Sequence, residues 1–207
     1  MKEQMTMNKT TEKTGMLQRC VSVCSIRAID EESRKFQLSF SSQTPYGRSW
    51  GIEILSHREG AVDLERLNTI GCLLYNHNRD LVIGKILEAK IEDERGIAIV
   101  QFDEDAESDI IYQKVKNGTL KGVSVGYMVD AWEEVGPNKK SSDGKFTGPC
   151  SIAVKWTPLE ISIVSVPADP TVGVGRSHEE SETVSKGVSG FYYYEKQLQI
   201  NTNLHRR

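Results

Sequence analysis

Leu120-Lys121-Gly122-Val123-Ser124-Val125-Gly126-Tyr127-Met128-Val129 is the stretch that decides between two folds. Gly122 to Gly126 spell G-x-S-x-G, the nucleophile-elbow pattern of α/β-hydrolases. In an elbow the serine comes after a strand and opens a helix. Here the helical pattern comes first. From Glu104 to Lys116, Ile110, Ile111 and Val115 recur at helical spacing behind acids that suit a helix N-terminus, and Asn117-Gly118 is a C-terminal stop. The residues after the serine, Tyr127-Met128-Val129, are strand-like, so a strand is expected over Leu120 to Trp132. The elbow order also needs an acid and a histidine after the serine. The later histidines, His178 and His205, both fall in a polar stretch.

Read as a strand, the segment alternates between faces. Val123, Val125 and Tyr127 point into a core, while Gly122, Ser124 and Gly126 point the other way. One hydroxyl then stands on a bare strip that a substrate backbone can approach. Such a serine is often only a small structural residue. It becomes a nucleophile when a base stands beside it.

Outward from this strand the chain is strand-rich. Val21, Val23 and Ile26 alternate loosely, and Phe36, Leu38 and Phe40 alternate cleanly. Ser41 to Ser49, with Pro45 and Gly47, reads as a loop. Trp50, Ile52 and Ile54 fall on one face of the next strand, and Val62 to Leu67 suits a short helix. Leu81 to Ile91 and Gly96 to Phe102 read as a strand pair. Ile152 to Trp156 and Glu160 to Val166 are two further strands, the last ended by Pro167-Ala168-Asp169-Pro170. The fold class is mainly β with helices (α+β). The domain is expected over residues 17–176, after a disordered arm (1–16) and before a polar, flexible tail (177–207).

The 207 residues suffice for one domain with a proper core. A net charge of -3 gives no reason to expect nucleic acid or an anionic membrane as partner. No apolar run approaches a membrane span, and the polar Met1 to Gly15 lacks the apolar region of a secretory signal. Cys20, Cys24, Cys72 and Cys150 match no zinc spacing and read as reduced thiols, so neither metal nor cofactor is expected. Cys72 lies near His77 in sequence, which leaves a Cys–His pair as a minor alternative.

The histidines sort by context. His178 and His205 lie in the polar tail, and His57, in Ser56-His57-Arg58-Glu59-Gly60, reads as exposed. His77 closes the apolar run Leu73-Leu74-Tyr75-Asn76, where a ring can be half buried and oriented, as a general base requires. A third residue must fix its tautomer. Glu160, at the head of an apolar strand, is the leading candidate. Asp80 and Asp169, each near a turn, are the alternatives.

Three stretches in order carry a resemblance. Leu73 to Asn78 with Val82-Ile83-Gly84 resembles the histidine motif of the tailed-phage prohead protease family. Leu120 to Tyr127 resembles its serine motif, and Leu159 to Pro170 its third block. Trp50 to His57 is similar to family members as well. The resemblance covers roughly residues 20 to 176. It implies a fold similar to the herpesvirus maturation protease, a β-barrel ringed by helices. It implies a serine endopeptidase in the procapsid interior, within the host bacterial cytoplasm. Its substrates would be scaffold and major capsid protein, often also itself. By the same carry-over Ser124 is the nucleophile, His77 the base and Glu160 the orienting acid. The herpesvirus relatives use a second histidine in that third role and are activated by dimerisation, so a homodimer is a candidate active form. The rival readings are an inactive head-assembly module of the same fold and, further off, an α/β-hydrolase-type esterase.

Overall fold

The computed structural model describes residues 15–20, 26–30 and 32–166. The expected arm and tail, and Asp169, His178 and His205, therefore lie outside the described residues, apart from Gly15 and Met16. The strands are β1 (Leu17–Cys20), β2 (Arg27–Asp30), β3 (Lys35–Ser42), β4 (Tyr46–Arg48) and β5 (Gly51–Leu55). Helix α1 (Glu65–Ile70) precedes β6 (Cys72–Tyr75), β7 (Asn78–Glu92) and β8 (Arg95–Phe102). Helix α2 (Ala106–Lys116) leads to β9 (Gly122–Val135) and β10 (Cys150–Val164).

These ten strands belong to one sheet, whose pairing order is β1-β9-β10-β6-β7-β8-β3-β2, with β5 on β10 and β4 on β5. That path is open, from β1 at one end to β2 at the other. The closed barrel implied by the resemblance is thus corrected to an open, mostly β sheet. The physical reason is that no ladder joins the ends: among the described residues β1 pairs only with β9, and β2 only with β3. Two helices, not a ring of them, occur among the described residues.

Helix α2 forms where the period changes. Asp105 caps it, accepting from the Glu107 and Ser108 backbone N–H groups. It buries Ile111, Tyr112 and Val115 against Phe36 and Phe102 of the main core. Helix α1 sits later than expected. It runs through Thr69 and Ile70, and β6 starts two residues later, at Cys72.

Four further expectations are corrected. Ser41 and Ser42 continue β3, and Tyr46 to Arg48 form β4 inside the expected loop. The two strands foreseen after Ile152 are one, β10, with irregular pairing around Ala153, Lys155 and Pro158. Ile52 is exposed, whereas Glu53 is fully buried. His57 is buried too, at 5% exposure.

Glu53 can be buried because its charge is matched. Arg48 lies 3.3 Å from it and Arg19 3.7 Å, and the Tyr127 hydroxyl donates to the same carboxylate. Burial holds Arg19 below its ordinary value. Burial, and then Glu53, pushes the Tyr127 hydroxyl up. Tyr127 belongs to the core face of β9, so this cluster fixes the strand that carries Ser124.

Candidate active site

Ser124 stands within β9, paired on one side with Cys20 of β1 and on the other with Ser162 of β10. Val123, Val125 and Tyr127 are fully buried in the core, as the alternation predicts. Strand continues for eleven residues past Ser124, which removes the nucleophile elbow and with it the α/β-hydrolase reading.

The bare strip has a different use at Gly126. A Cβ there would collide with Glu160 Oε1 and with the Met16 methyl. Glycine at this position leaves room for a carboxylate, not for a substrate backbone. Glu160 faces Gly126 across the β9–β10 ladder, and Ser162 faces Ser124. Directly opposed residues share a face, so the acid and the serine emerge on the same side of the sheet.

His77 reaches this face from the β6–β7 turn. Tyr75 pairs with Asn78, so Asn76 and His77 are the two residues of a tight hairpin. Both have positive φ, +52° and +59°. That left-handed pair suits the twist of a two-residue hairpin but is uncommon without glycine. Hydrogen bonds to β10 hold it. The Asn76 N–H donates to the Ile163 carbonyl at 2.9 Å. The His77 N–H donates to Ser162 Oγ at 3.2 Å, and Asn76 Oδ1 accepts from the Ser165 N–H at 2.9 Å.

The three side chains then meet. His77 Nε2 lies 2.8 Å from Ser124 Oγ, and His77 Nδ1 lies 2.6 Å from Glu160 Oε1. A carboxylate only accepts, so Nδ1 carries the proton and the Nε2 lone pair faces the serine hydroxyl. Glu160 is nearly buried at 6% exposure, which keeps water from competing for it. A groove of about 270 Å³ opens over the pair, lined by Gln18, Asn76, His77, Ser124, Val164 and Ser165 among others.

The alternatives fall elsewhere. Asp80 is exposed, and its backbone N–H turns back to Asn78 Oδ1. Cys72 lies at the start of β6, and burial and then the Glu160 charge push its thiol up, against nucleophile chemistry. The N–H groups of His77 and Ser165 are already committed to Ser162 and Asn76, so neither can act as an oxyanion donor in this arrangement. Among the described residues, no group of three or more His, Cys, Asp or Glu side chains could hold a metal ion.

Two side-chain contacts escape a reading by sequence. Ser162 lies under the site with its hydroxyl 2.7 Å from Glu160 Oε2. A signal for it exists: Glu160 and Ser162 are two apart on one strand and so share a face. A second Ser–His pair also exists. His57 Nε2 lies 2.7 Å from Ser41 Oγ, with Nδ1 3.0 Å from the Leu55 carbonyl. Nothing in the sequence of the two segments brings them together.

A serine hydroxyl, an imidazole and a carboxylate in series, opening on a groove, match the arrangement that serine hydrolases use. The family is given by comparison: residues 60–186 match the model for the caudovirus prohead serine protease, and the chain belongs to that family. It is also 36% identical, over 148 residues, to a major capsid protein of Halomonas phage phiHAP-1. That match covers 70% of this chain but 23% of the phage protein, so the chain spans about a quarter of that relative's length. No solved structure matches the chain.

Proposed function

We propose that this protein is a serine endopeptidase of phage head maturation, with Ser124 as nucleophile, His77 as general base and Glu160 as the group that orients the base. The observation that carries the reading is the unbroken series from Glu160 Oε1 through His77 to Ser124 Oγ, with spacings of 2.6 and 2.8 Å. As the hydroxyl attacks a scissile carbonyl, Nε2 takes its proton. The imidazolium so formed faces the Glu160 carboxylate. It then returns the proton to the leaving amine, and water releases the acyl group by the same route.

Major capsid protein and scaffold are the proposed substrates, met inside the procapsid in the host cytoplasm. Family membership supports the setting. The relative named as a major capsid protein supports capsid protein as the nearest substrate, since a segment like this one sits there within a longer chain. The same relative also favours a second reading, a head-assembly module that no longer cleaves.

Coexpression with the capsid and scaffold proteins separates the two. Wild-type chain is expected to shorten one or both. Ser124→Ala removes one hydroxyl and should leave folding intact while cutting the rate by about a thousandfold or more. Equal processing by the two chains would reject the assignment, and no processing by wild type would favour the inactive module.

A further inference from the structure

We infer that Ser162 is a positioning residue of this site, clamping the Glu160 carboxylate and the His77 turn through one buried hydroxyl. The inference rests on the proposed reading of Ser124, His77 and Glu160 and extends it to a fourth side chain.

Ser162 is fully buried, so no substrate reaches it and it is not itself a nucleophile. Its single oxygen makes two contacts. The His77 backbone N–H can only donate, so at 3.2 Å it takes a lone pair of Oγ. Glu160 Oε2, at 2.7 Å, can only accept from a hydroxyl, so it takes the Oγ proton. Both roles of the hydroxyl are therefore fixed, and they run in one direction: His77 N–H to Ser162 to Glu160.

The consequence is a closed ring of contacts. Glu160 Oε1 receives Nδ1–H of the His77 ring, and Oε2 receives Ser162, which in turn receives the His77 main chain. With both oxygens held, the carboxylate cannot rotate away from the ring. With its N–H held, the left-handed His77 residue cannot flip its peptide. Residues of an active site must be held by their neighbours to within a fraction of an ångström to work. Cross-strand register supplies the rest, because Ser162 opposes Ser124 and so sets the height of the clamp to that of the nucleophile.

The test is Ser162→Ala, which keeps the packing nearly unchanged. Three readouts are combined on the full chain. With capsid protein as substrate, kcat is expected to fall about tenfold at unchanged KM, the size of one hydrogen bond to a charged group. In a double-mutant cycle with Glu160→Gln the two losses should not add, because Ser162 acts through the carboxylate. In the Ser124→Ala background, the low-field proton resonance of His77 Nδ1–H should broaden or vanish when Ser162 is replaced. Thermal midpoints of each variant show that the losses come from folded protein.

An unchanged kcat with an unchanged Nδ1–H resonance would overturn the inference. So would losses that simply add in the cycle, which would mark Ser162 as packing alone. If the wild-type chain cleaves nothing, the protease reading fails by that result. The resonance, which needs no turnover, still decides whether Ser162 holds the Glu160–His77 pair.

Discussion

Two serine–histidine pairs occur in this molecule with nearly the same spacing, and only one is placed to do chemistry. Ser124 and His77 are 2.8 Å apart at a groove, and Ser41 and His57 are 2.7 Å apart inside the fold. In both, the far ring nitrogen has an oxygen partner that sets the tautomer: Glu160 in one, the Leu55 carbonyl in the other. The difference lies in charge and access. A carbonyl stabilises an imidazolium far less than a carboxylate does. Burial drives His57 down to about 4, so it stays neutral at pH 7. Ser41 is fully buried, and Trp156 packs edge-on against the His57 ring at 5.5 Å. A short Ser–His contact is thus a common device for satisfying buried polar groups. It becomes a candidate nucleophile when a carboxylate stands behind the ring and open space stands before the hydroxyl.

The largest expected effect is at the charge. Glu160→Gln keeps shape and one hydrogen-bond acceptor but removes the charge that balances the imidazolium. The amide can also present its donor face to Nδ1 and reverse the tautomer. Cleavage should fall by about a hundredfold to ten-thousandfold, while the folded fraction in a denaturant titration changes little. His57→Gln is the matched control at the other pair, and it should cleave at the wild-type rate whenever folded. Loss of turnover in the His57 variant at equal stability would break the comparison.

A smaller effect separates the pairs by pH. His57 titrates lower in the folded protein than in the unfolded chain, where a histidine sits near 6.5. The unfolded state therefore binds more protons between those values, and stability falls as pH drops from about 6.5 toward 4. Above 6.5 the contribution is complete. Its upper size is about 3 kcal/mol, from a shift of that width at 1.36 kcal/mol per unit. Thermal midpoints followed from pH 7.5 to 4.5 should decline, and His57→Gln should flatten that decline. Equal slopes in both proteins would show that other groups carry the acid sensitivity.

Much of the site was legible in the sequence because strand alternation is a local property. Val123, Val125 and Tyr127 announce which way Ser124 faces, and Ile161, Ile163 and Val164 place Glu160 on a strand, although that strand begins ten residues earlier, at Cys150. The change to helical spacing before Lys116 likewise marks α2. What stayed hidden is non-local. His57 reads as exposed in a polar loop, but Ser41 of β3 and Trp156 of β10, both distant in the chain, pack against its ring. The burial of Glu53 has no local signal, because Arg19 and Tyr127 come to it from strands far off in the chain. Gly126 reads as an opening for substrate because the carboxylate that fills its empty face lies across a ladder. Closure of the sheet is set by which edges meet, and a single strand's pattern does not encode that.

The finest test of the comparison is Asn76→Gly, since the pair at the groove depends on a left-handed turn and the pair inside the fold does not. Asn76 holds φ of +52°, a region that glycine occupies freely and asparagine at modest cost. Glycine would relax the hairpin but would delete Oδ1, which accepts from the Ser165 N–H and, at 3.2 Å, from its hydroxyl. Both terms are about 1 kcal/mol and opposite in sign, so stability should move by less than that. Turnover has no such compensation, because the freed turn lets the His77 ring wander relative to Ser124. It should fall severalfold. Asn76→Asp keeps the acceptor and tolerates the same backbone, so it should recover most of the rate. If glycine instead left cleavage unchanged, the β10 contacts of Ile163 and Ser162 would suffice to hold the ring. The placement of the base would then rest on the strand ladder and its single buried hydroxyl, with no part left for the Asn76 side chain.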